Sequence, residues 1–280
     1  MNILTQQEKA KQLYDLHHSG KLLILPNIWD VLGAKLLQDI GYAAVATASA
    51  SIAYANGYDD GEHIPFSELL FILNRIAGNV NIPVTADIES GYAENKKELA
   101  QNIRKLIEAG IVGINIEDTN KKTNALLPLE EQCKNIELIK NISAQMNMPL
   151  FINARTDCYI HAGTFDSVEL KLEETIKRGL AYKAAGADCF YPILVNDESE
   201  IKMITAQLNI PVNILTMPGM PSLNTLHSIG VSRVSLGPSF LKYAIKAMQS
   251  LAIKLQGEDG LDEIINNDIT SAYLKQLVSA

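Results

Sequence analysis

Three short apolar runs in the sequence end in charged residues. They span positions 84–89 (VTADIE), 114–118 (INIED) and 151–157 (FINARTD). If these runs are neighbouring parallel strands, their carboxyl ends meet at one sheet edge. That edge would then gather the following charged side chains: Asp87, Glu89, Glu117, Asp118 and Arg155. Carboxylates suit a hard divalent cation and a guanidinium suits an anionic substrate, so the pattern predicts a metal-assisted site for a small acid.

Two of these acids carry most of the prediction. Asp87 and Glu117 are each flanked by apolar strand residues, and a buried carboxylate is costly unless it is paired or coordinates a cation. The predicted cofactor is Mg²⁺ rather than zinc, because the ligands are oxygen atoms without His or Cys. Glu89 falls on the same face as Asp87 if the strand continues that far.

The other charged residues allow more than one interpretation. Asp118 and Asp157, each taken alone, fit a solvated loop residue or a helix N-cap at least as well as a functional acid. Arg155 fits either a structural ion pair with Glu117 or Asp157, or a clamp for a carboxylate or phosphonate. Its predicted place at the mouth of the fold favours the clamp.

The elements that must position these residues repeat eight times. Strand-like runs lie near 22–26, 43–49, 82–88, 113–118, 150–156, 189–194, 211–217 and 233–238. Apolar residues at three- and four-residue spacings between them predict helices. The alternation predicts a (β/α)8 TIM barrel of the α/β class, with additional C-terminal helices after the eighth unit.

The sequence argues against an open doubly wound sheet. Such a sheet would need a glycine-rich dinucleotide turn after the first strand, where positions 26–30 read PNIWD. Residues 1–20 are predicted to form a leading helix and residues 259–280 extra helical turns. The whole chain, 1–280, is therefore predicted to be a single barrel domain.

Composition excludes several classes of partner. The chain has 280 residues, 47% of them hydrophobic, and a net charge of −8, which argues against binding to nucleic acid or an anionic membrane. No run of about 18 apolar residues and no signal-like N-terminal stretch is found, so a cytoplasmic location is expected. The three cysteines, Cys133, Cys158 and Cys189, lack a CxxC spacing and are expected to be reduced thiols.

Two weaker patterns bear on nucleophilic chemistry. Cys158 and His161 could be imagined as a nucleophile and its base, but one close pair is common by chance and packing is the favoured interpretation. No lysine lies at the predicted end of a barrel strand, which disfavours the aldolases that form a Schiff base.

The sequence resembles the isocitrate lyase and phosphoenolpyruvate mutase superfamily. The runs that carry the resemblance lie in order from about Leu22 to Pro238 and read LPNIWD, TASASIA, NGYDDGE, TADIESGY, NIEDT, NARTD and AGAD. The resemblance implies a Mg²⁺-dependent barrel that acts on α-keto or α-hydroxy acids. It also implies that a C–C or P–C bond is made or broken through an enolate of pyruvate type.

The resemblance also implies roles for individual residues. Asp87 and Glu117 would hold Mg²⁺, directly or through water, Asp60 would lie in the substrate loop, and Arg155 would clamp the acidic end of the substrate. Further substrate contacts are expected from these positions: Thr47, Ser49, Ala50 and Asn213.

The sequence departs from the pattern of that superfamily at two places. Better-known members carry a second Asp where Thr85 stands, and Glu89 is expected to replace it in part. The loop after the fourth strand reads TNKKTNALLP, without the cysteine and histidine of the isocitrate lyase loop. Lys122 and Asn124 resemble the Lys and Asn of phosphonomutases and, with Asp60 and Arg155, are the predicted catalytic residues.

Three functions follow as hypotheses. The first is a Mg²⁺-dependent lyase that cleaves a C–C bond of a small 2-oxo or 2-hydroxy carboxylate. The second is a phosphoenolpyruvate or carboxyphosphonoenolpyruvate phosphonomutase, which would take a phosphonate substrate. The third is a non-catalytic barrel that binds a carboxylate. Because members of the superfamily often exchange a C-terminal helix between subunits, residues 240–280 are predicted to support a homodimer or homotetramer.

Overall fold

Short parallel strands form the centre of the protein, as described for residues 3–279 in a computed structural model. The strands are β1 Leu23–Leu25, β2 Asn27–Ile28, β3 Val45–Thr47, β4 Val84–Asp87, β5 Gly113–Glu117, β6 Thr119–Asn120, β7 Ala125–Leu126, β8 Phe151–Thr156, β9 Cys189–Pro192, β10 Asn213–Leu215 and β11 Arg233–Ser235. Strands β6 and β7 form a separate antiparallel hairpin. The other strands match the eight runs predicted from the sequence, except that β2 lies just beyond the first run, which was predicted near 22–26 and ends at Pro26.

The parallel strands close into a barrel. One sheet runs in the order β2-β3-β4-β5-β8-β9 and the other in the order β1-β11-β10. A bridge between Phe190 and Val212 joins β9 to β10, and the chain itself joins β1 to β2. Proline has no N–H to donate to a ladder, but the Pro26 carbonyl still accepts from the Ala46 N–H at 2.9 Å. The predicted (β/α)8 barrel is confirmed.

Helices surround the barrel and follow most strands. The described helices are α1 Gln6–His17, α2 Val31–Asp39, α3 Ser49–Ala55, α4 Phe66–Ala77, α5 Lys96–Glu108, α6 Leu129–Gln145, α7 Val168–Ala184, α8 Glu198–Leu208, α9 Leu223–Ser228, α10 Ser239–Gln256, α11 Leu261–Ile265 and α12 Ser271–Ser279. A 3₁₀ turn spans Ala162–Thr164.

Local signals in the sequence begin and end these helices. Asp30, Asn95 and Ser167 cap α2, α5 and α7 by accepting backbone N–H bonds, and such caps each contribute about 1 kcal/mol. Gly110 follows α5 with φ of 91°, a left-handed conformation that glycine adopts without a steric penalty. These boundaries fix where each strand starts and therefore where its carboxyl end falls.

Helix α1 packs beneath the barrel, at the amino-terminal ends of the strands. Leu13 is fully buried there, and a Cβ on Gly113 would lie 2.7 Å from its Cδ2 atom. His17 donates from Nδ1 to the Leu13 carbonyl at 2.8 Å and stacks on Phe151. The predicted leading helix therefore covers the end of the barrel opposite to the charged residues.

The C-terminal helices form the least buried part of the described chain. Helix α10 has no buried residue, and its Tyr243 is 79% exposed. Helix α12 returns to α2, where Tyr273 donates to Asp39 at 2.8 Å. Within residues 3–279 no helix combines the length and apolar character needed to cross a membrane. The exchange of residues 240–280 between subunits stays a prediction, and residue 280 lies outside the described residues.

Candidate active site

Three carboxylates converge at the carboxyl-terminal end of β4 and β5, and we call Asp87, Glu89 and Glu117 the acid cluster. Asp87 ends β4 and Glu117 ends β5, where Glu117 is paired in register with Arg155 on β8. Glu89 and Glu117 are both only 2% exposed, and Asp87 is half-buried. The parallel strands thus bring together the side chains that the sequence analysis expected at one edge.

Glu89 reaches the acid cluster by a different route from the one predicted. Strand β4 ends at Asp87, so alternation along a strand does not place Glu89 beside it. Instead Glu89 has φ of +50°, a conformation that is uncommon for residues other than glycine. Its backbone is fixed on both sides, because its N–H donates to Asp87 Oδ1 at 3.3 Å and its carbonyl accepts from the Glu117 N–H at 2.8 Å. Thr85 is buried inside the barrel, two residues before Asp87.

The loop after β3 holds the Glu89 side chain in place. Glu89 Oε1 accepts from the Glu62 backbone N–H at 2.9 Å and from the Tyr92 hydroxyl at 3.0 Å. Glu62 Oε1 in turn accepts from the Ser90 and Tyr92 backbone N–H groups, both at 3.0 Å, and from the Ser90 hydroxyl at 2.6 Å. Sequence analysis gave no role to Ser90 or Tyr92, because their contacts depend on the conformations of two loops.

Two cations neutralise the acid cluster. Arg155 donates from NH1 to Glu117 Oε2 at 2.8 Å and from Nε to Asp157 at 2.6 Å. Lys121 lies 2.5 Å from Glu117 Oε1 and 2.8 Å from Glu89 Oε2. Arg155 therefore makes the structural ion pairs that the sequence allowed.

Sequence analysis missed Lys121 and selected its neighbour instead. Lys122 is 73% exposed and pairs with Glu94 at 2.8 Å. Asn124 is also exposed, in the turn of the β6–β7 hairpin with φ of 49°. The structure therefore does not bring Lys122 or Asn124 to the acid cluster. No pattern in the sequence singles out Lys121. It follows Glu117, the last residue of β5, by four residues, and the tight hairpin turns it back toward that residue.

Burial raises the pKa of several acids in the site. It raises the pKa of Glu117 to about 8, although Arg155 and Lys121 oppose the shift. Burial likewise raises the pKa of Asp87, with Arg155 as the main opposing charge. The pKa of Lys121 is raised because Glu117 and Glu89 more than offset its desolvation. These directions follow from three acids sharing a poorly hydrated space.

Most of the predicted substrate contacts lie around Asp87. Ser49 donates its hydroxyl to Asp87 Oδ2 at 3.2 Å, and the Asp87 N–H donates to Thr47 Oγ1 at 3.1 Å. Ala50 is half-buried in the first turn of α3, next to Ser49. Asp60 is exposed at the rim, where partial desolvation and the Glu89 charge raise its pKa.

Asn213 does not lie at the open edge. It begins β10, is fully buried, and accepts from the Ser235 hydroxyl at 3.1 Å. Its neighbour in register is Arg233, which donates to the same Ser235 at 3.1 Å. The structure therefore places Asn213 in a polar layer inside the barrel, because it opens its strand instead of ending it.

Asp118 serves the scaffold. It is fully buried and accepts from Tyr182 at 2.6 Å, Thr156 at 2.7 Å, Arg178 at 2.9 Å and the Asp157 N–H at 2.8 Å. Neither a solvated loop residue nor an N-cap describes this side chain. The adjacent acids of NIED therefore point to opposite sides of β5, Glu117 into the site and Asp118 into the helical layer.

Cys158 and His161 do not form a nucleophile and base. Cys158 is fully buried, its Sγ lies 3.3 Å from the Thr156 hydroxyl, and burial raises its pKa to about 11. His161 instead contacts the Thr119 hydroxyl at 3.2 Å. The packing interpretation of Cys158 fits these contacts.

The acid cluster fits magnesium in its chemistry. Over residues 3–279, no three Asp, Glu, His or Cys side chains are grouped so that they could hold a metal ion together. Magnesium, however, is usually held by one or two carboxylates together with several waters. Asp87, Glu89 and Glu117 offer only oxygen atoms, and the Lys121 ammonium already lies between two of them as a stand-in cation. The donor set therefore suits a hard divalent ion.

Comparisons with known proteins agree with this geometry. The chain is 28% identical to an oxaloacetate decarboxylase of Pseudomonas fluorescens, over 88% of this chain and 85% of that protein. It is 26% identical to the 2,3-dimethylmalate lyase of Eubacterium barkeri, over 96% and 93% of the two chains. A Burkholderia cenocepacia structure assigned provisionally as a phosphonomutase is 37% identical, with a TM-score of 0.83 over 88% of this chain and 99% of that one.

A further solved structure supports the fold. The fold matches a phosphonopyruvate hydrolase solved with oxalate and Mg²⁺, with a TM-score of 0.83 over 96% and 94% of the chains at 22% identity. Residues 13–256 of the chain match the phosphoenolpyruvate phosphomutase family. The relatives are enzymes, lyases and mutases that act on small carboxylates or phosphonates. The chain therefore belongs to the phosphoenolpyruvate phosphomutase family, within the isocitrate lyase and phosphoenolpyruvate mutase superfamily.

Proposed function

We propose that the protein is a Mg²⁺-dependent lyase that cleaves a C–C bond of a small 2-oxo or 2-hydroxy carboxylate through a pyruvate enolate-type intermediate. The observation that carries the proposal is the position of Glu117, which lies buried at the open end of the barrel between Arg155 and Lys121. A buried carboxylate shared by two cations beside further acids is suited to a divalent ion and an acidic ligand. The relatives named for oxaloacetate and 2,3-dimethylmalate support the same substrate class.

Arg155 is proposed to bind and orient the substrate. Its contacts to Glu117 and Asp157 fix the plane of the guanidinium, and its NH2 donors would bind a carboxylate or enolate oxygen of the substrate. A planar guanidinium recognises two oxygens at once, and the poorly hydrated site strengthens that contact. When the C–C bond breaks, the negative charge that remains on the substrate oxygen would lie next to this fixed positive charge.

The acids are proposed to divide their roles by position. Asp87, Glu117 and Glu89 would hold Mg²⁺, in part through water, and the bound ion would polarise the substrate carbonyl. Ser49 and the backbone around Ala50 would contact the substrate beside Asp87. Asp60 lies at the rim with a raised pKa, which suits a group that gives a proton to the enolate carbon.

The phosphonomutase hypothesis has less support. Its residue-level basis was Lys122 and Asn124, and both are exposed away from the acid cluster. The hypothesis of a non-catalytic binding barrel rested on the missing acid at Thr85, and Glu89 supplies an acid beside Asp87. The lyase is therefore the leading proposal.

Substrate profiling by NMR tests the proposal. With Mg²⁺ present, the protein should convert oxaloacetate or a 2-methylmalate-like acid into a pyruvate-type product, and Asp87→Asn should abolish turnover. Lys122→Met is the matched control, because it removes an exposed charge and should leave turnover unchanged. Turnover of phosphonopyruvate alone would refute the lyase, and binding without turnover of any acid would favour a non-catalytic barrel.

A further inference from the structure

Lys121 lies between two carboxylates of the acid cluster. Its ammonium lies 2.8 Å from Glu89 Oε2 and 2.5 Å from Glu117 Oε1. Both carboxylates are almost fully buried, whereas the Lys121 side chain is 25% exposed. A flexible, partly hydrated ammonium therefore neutralises two acids that cannot leave the site.

The backbone that carries Lys121 is a compact unit. The Asn120 side chain accepts from the Lys122 N–H at 2.9 Å and the Thr123 N–H at 3.1 Å, which closes the turn between β6 and β7. The Leu127 N–H donates to the Asp118 carbonyl at 2.7 Å and anchors the end of the hairpin. Thr119, at the start of β6, donates to Asp157 at 2.5 Å. The contacts of Lys121 therefore tie the turn of the hairpin, rather than its base, to the acid cluster.

We propose that Lys121 is an internal competitor for the divalent ion, occupying the cation position between Glu89 and Glu117 until the ion binds and displaces it. The inference rests on the proposed function, because it concerns the metal of that same site. Two monovalent contacts hold the ammonium, so a divalent ion can exchange for it without leaving either carboxylate unpaired. Release of Lys121 frees the hairpin from the acid cluster, so metal binding and hairpin mobility are linked.

The structure offers a place for the displaced side chain. A cavity of about 570 Å³ lies beside the acid cluster, and Lys121 forms part of its wall. Glu62, Glu94 and Glu131 line this cavity together with Lys96 and Lys122. Glu94 is already paired with Lys122, so Glu62 and Glu131 are the acids that a displaced ammonium would approach.

The size of the effect follows from occupancy. If the ammonium occupies the position nine-tenths of the time, the apparent Kd for the ion is about tenfold higher than the intrinsic Kd. Removing the ammonium should then tighten Mg²⁺ binding by about tenfold. Removing an exposed charge that does not contact the acid cluster should not, because screening in water limits its effect.

The test is Mg²⁺ titration by calorimetry on the full chain. We expect Lys121→Met to bind Mg²⁺ about tenfold more tightly than the unsubstituted protein, and Lys122→Met, which removes the adjacent exposed charge, to bind as the unsubstituted protein does. Lys121→Arg keeps the charge and should restore weak binding. Equal Kd values for the unsubstituted protein and Lys121→Met would overturn the proposal.

A second readout separates displacement from a general effect of charge. Hydrogen exchange at residues 119–126 of the unsubstituted protein should rise at saturating Mg²⁺, and in Lys121→Met it should be high with or without the ion. Unchanged exchange in the unsubstituted protein would also overturn the proposal. Equal affinities together with Mg²⁺-dependent turnover would leave the proposed lyase intact, whereas no Mg²⁺ binding and no turnover would refute both.

Discussion

The Arg178→Met substitution is expected to destabilise the barrel strongly without touching the acid cluster. Arg178 donates from NH1 to Asp118 at 2.9 Å, to the Leu127 carbonyl at 3.1 Å and to Tyr182 at 3.1 Å. Asp118 is fully buried, and burial raises the pKa of its carboxyl group. The substitution would therefore leave a buried acid without its cation.

The magnitude follows from the loss of one partner of a buried ion pair. Such losses cost about 3–5 kcal/mol, because the remaining charge stays desolvated. Tyr182 and Thr156 still donate to Asp118, so the lower half of that range is expected. For a chain of this size, about 3 kcal/mol corresponds to a fall in Tm on the order of 10 °C.

Thermal unfolding followed by circular dichroism measures the effect. Lys177→Met is the matched control, because Lys177 lies on the same helix and pairs with the same Glu174 but is 65% exposed. It should change Tm by about 1–2 °C at most. Adding Asp118→Asn to Arg178→Met should cost less than the sum of the two single changes. A Tm within about 2 °C of the unsubstituted protein for Arg178→Met would refute the reasoning.

Three further predictions concern stability and catalysis. Burial lowers the pKa of His17 to about 3 from about 6.5 in the unfolded chain, so between these pH values the unfolded state binds an extra proton and the free energy of unfolding falls by about 1.4 kcal/mol per pH unit as the pH drops. The denaturant midpoints at pH 5 and pH 7.5 should therefore differ less in His17→Leu than in the unsubstituted protein, and equal differences in the two proteins would contradict this. Tyr92→Phe removes a hydrogen-bond donor to Glu89 and should lower kcat/KM about fivefold, which corresponds to a loss of about 1 kcal/mol of transition-state stabilisation. Unchanged steady-state kinetics would show that the hydroxyl does not position Glu89. Arg155→Lys loses the planar guanidinium and should lower kcat/KM about a hundredfold, and steady-state rates within threefold of the unsubstituted protein would exclude the clamp.

Much of the fold could be predicted because its signals are local. Apolar runs followed by helical spacing identified each strand of the barrel, and caps such as Asp30 and Asn95 set the helix starts. The order of the strands around the ring then follows from the right-handed crossover of parallel units. The convergence of Asp87 and Glu117 was predictable for the same reason, since both end neighbouring strands.

The remaining parts of the site depend on loop conformation. Glu89 reaches Asp87 because its backbone adopts a left-handed conformation. A glutamate in the sequence does not by itself predict that conformation. Lys121 and Lys122 are adjacent and chemically identical, and only the hairpin turn decides which one faces the acids. The burial of Asp118 depends on Arg178, 60 residues away in sequence, so a local reading could not distinguish it from a cap.

The central claim is that the acid cluster and Arg155 together hold a divalent ion and a pyruvate-type enolate. Oxalate resembles that enolate in charge and shape, and its binding can be followed by calorimetry with and without Mg²⁺. We predict that saturating Mg²⁺ tightens oxalate binding at least tenfold, or about 1.4 kcal/mol, and that Asp87→Asn removes this coupling. Equal oxalate affinity with and without Mg²⁺ would contradict the account.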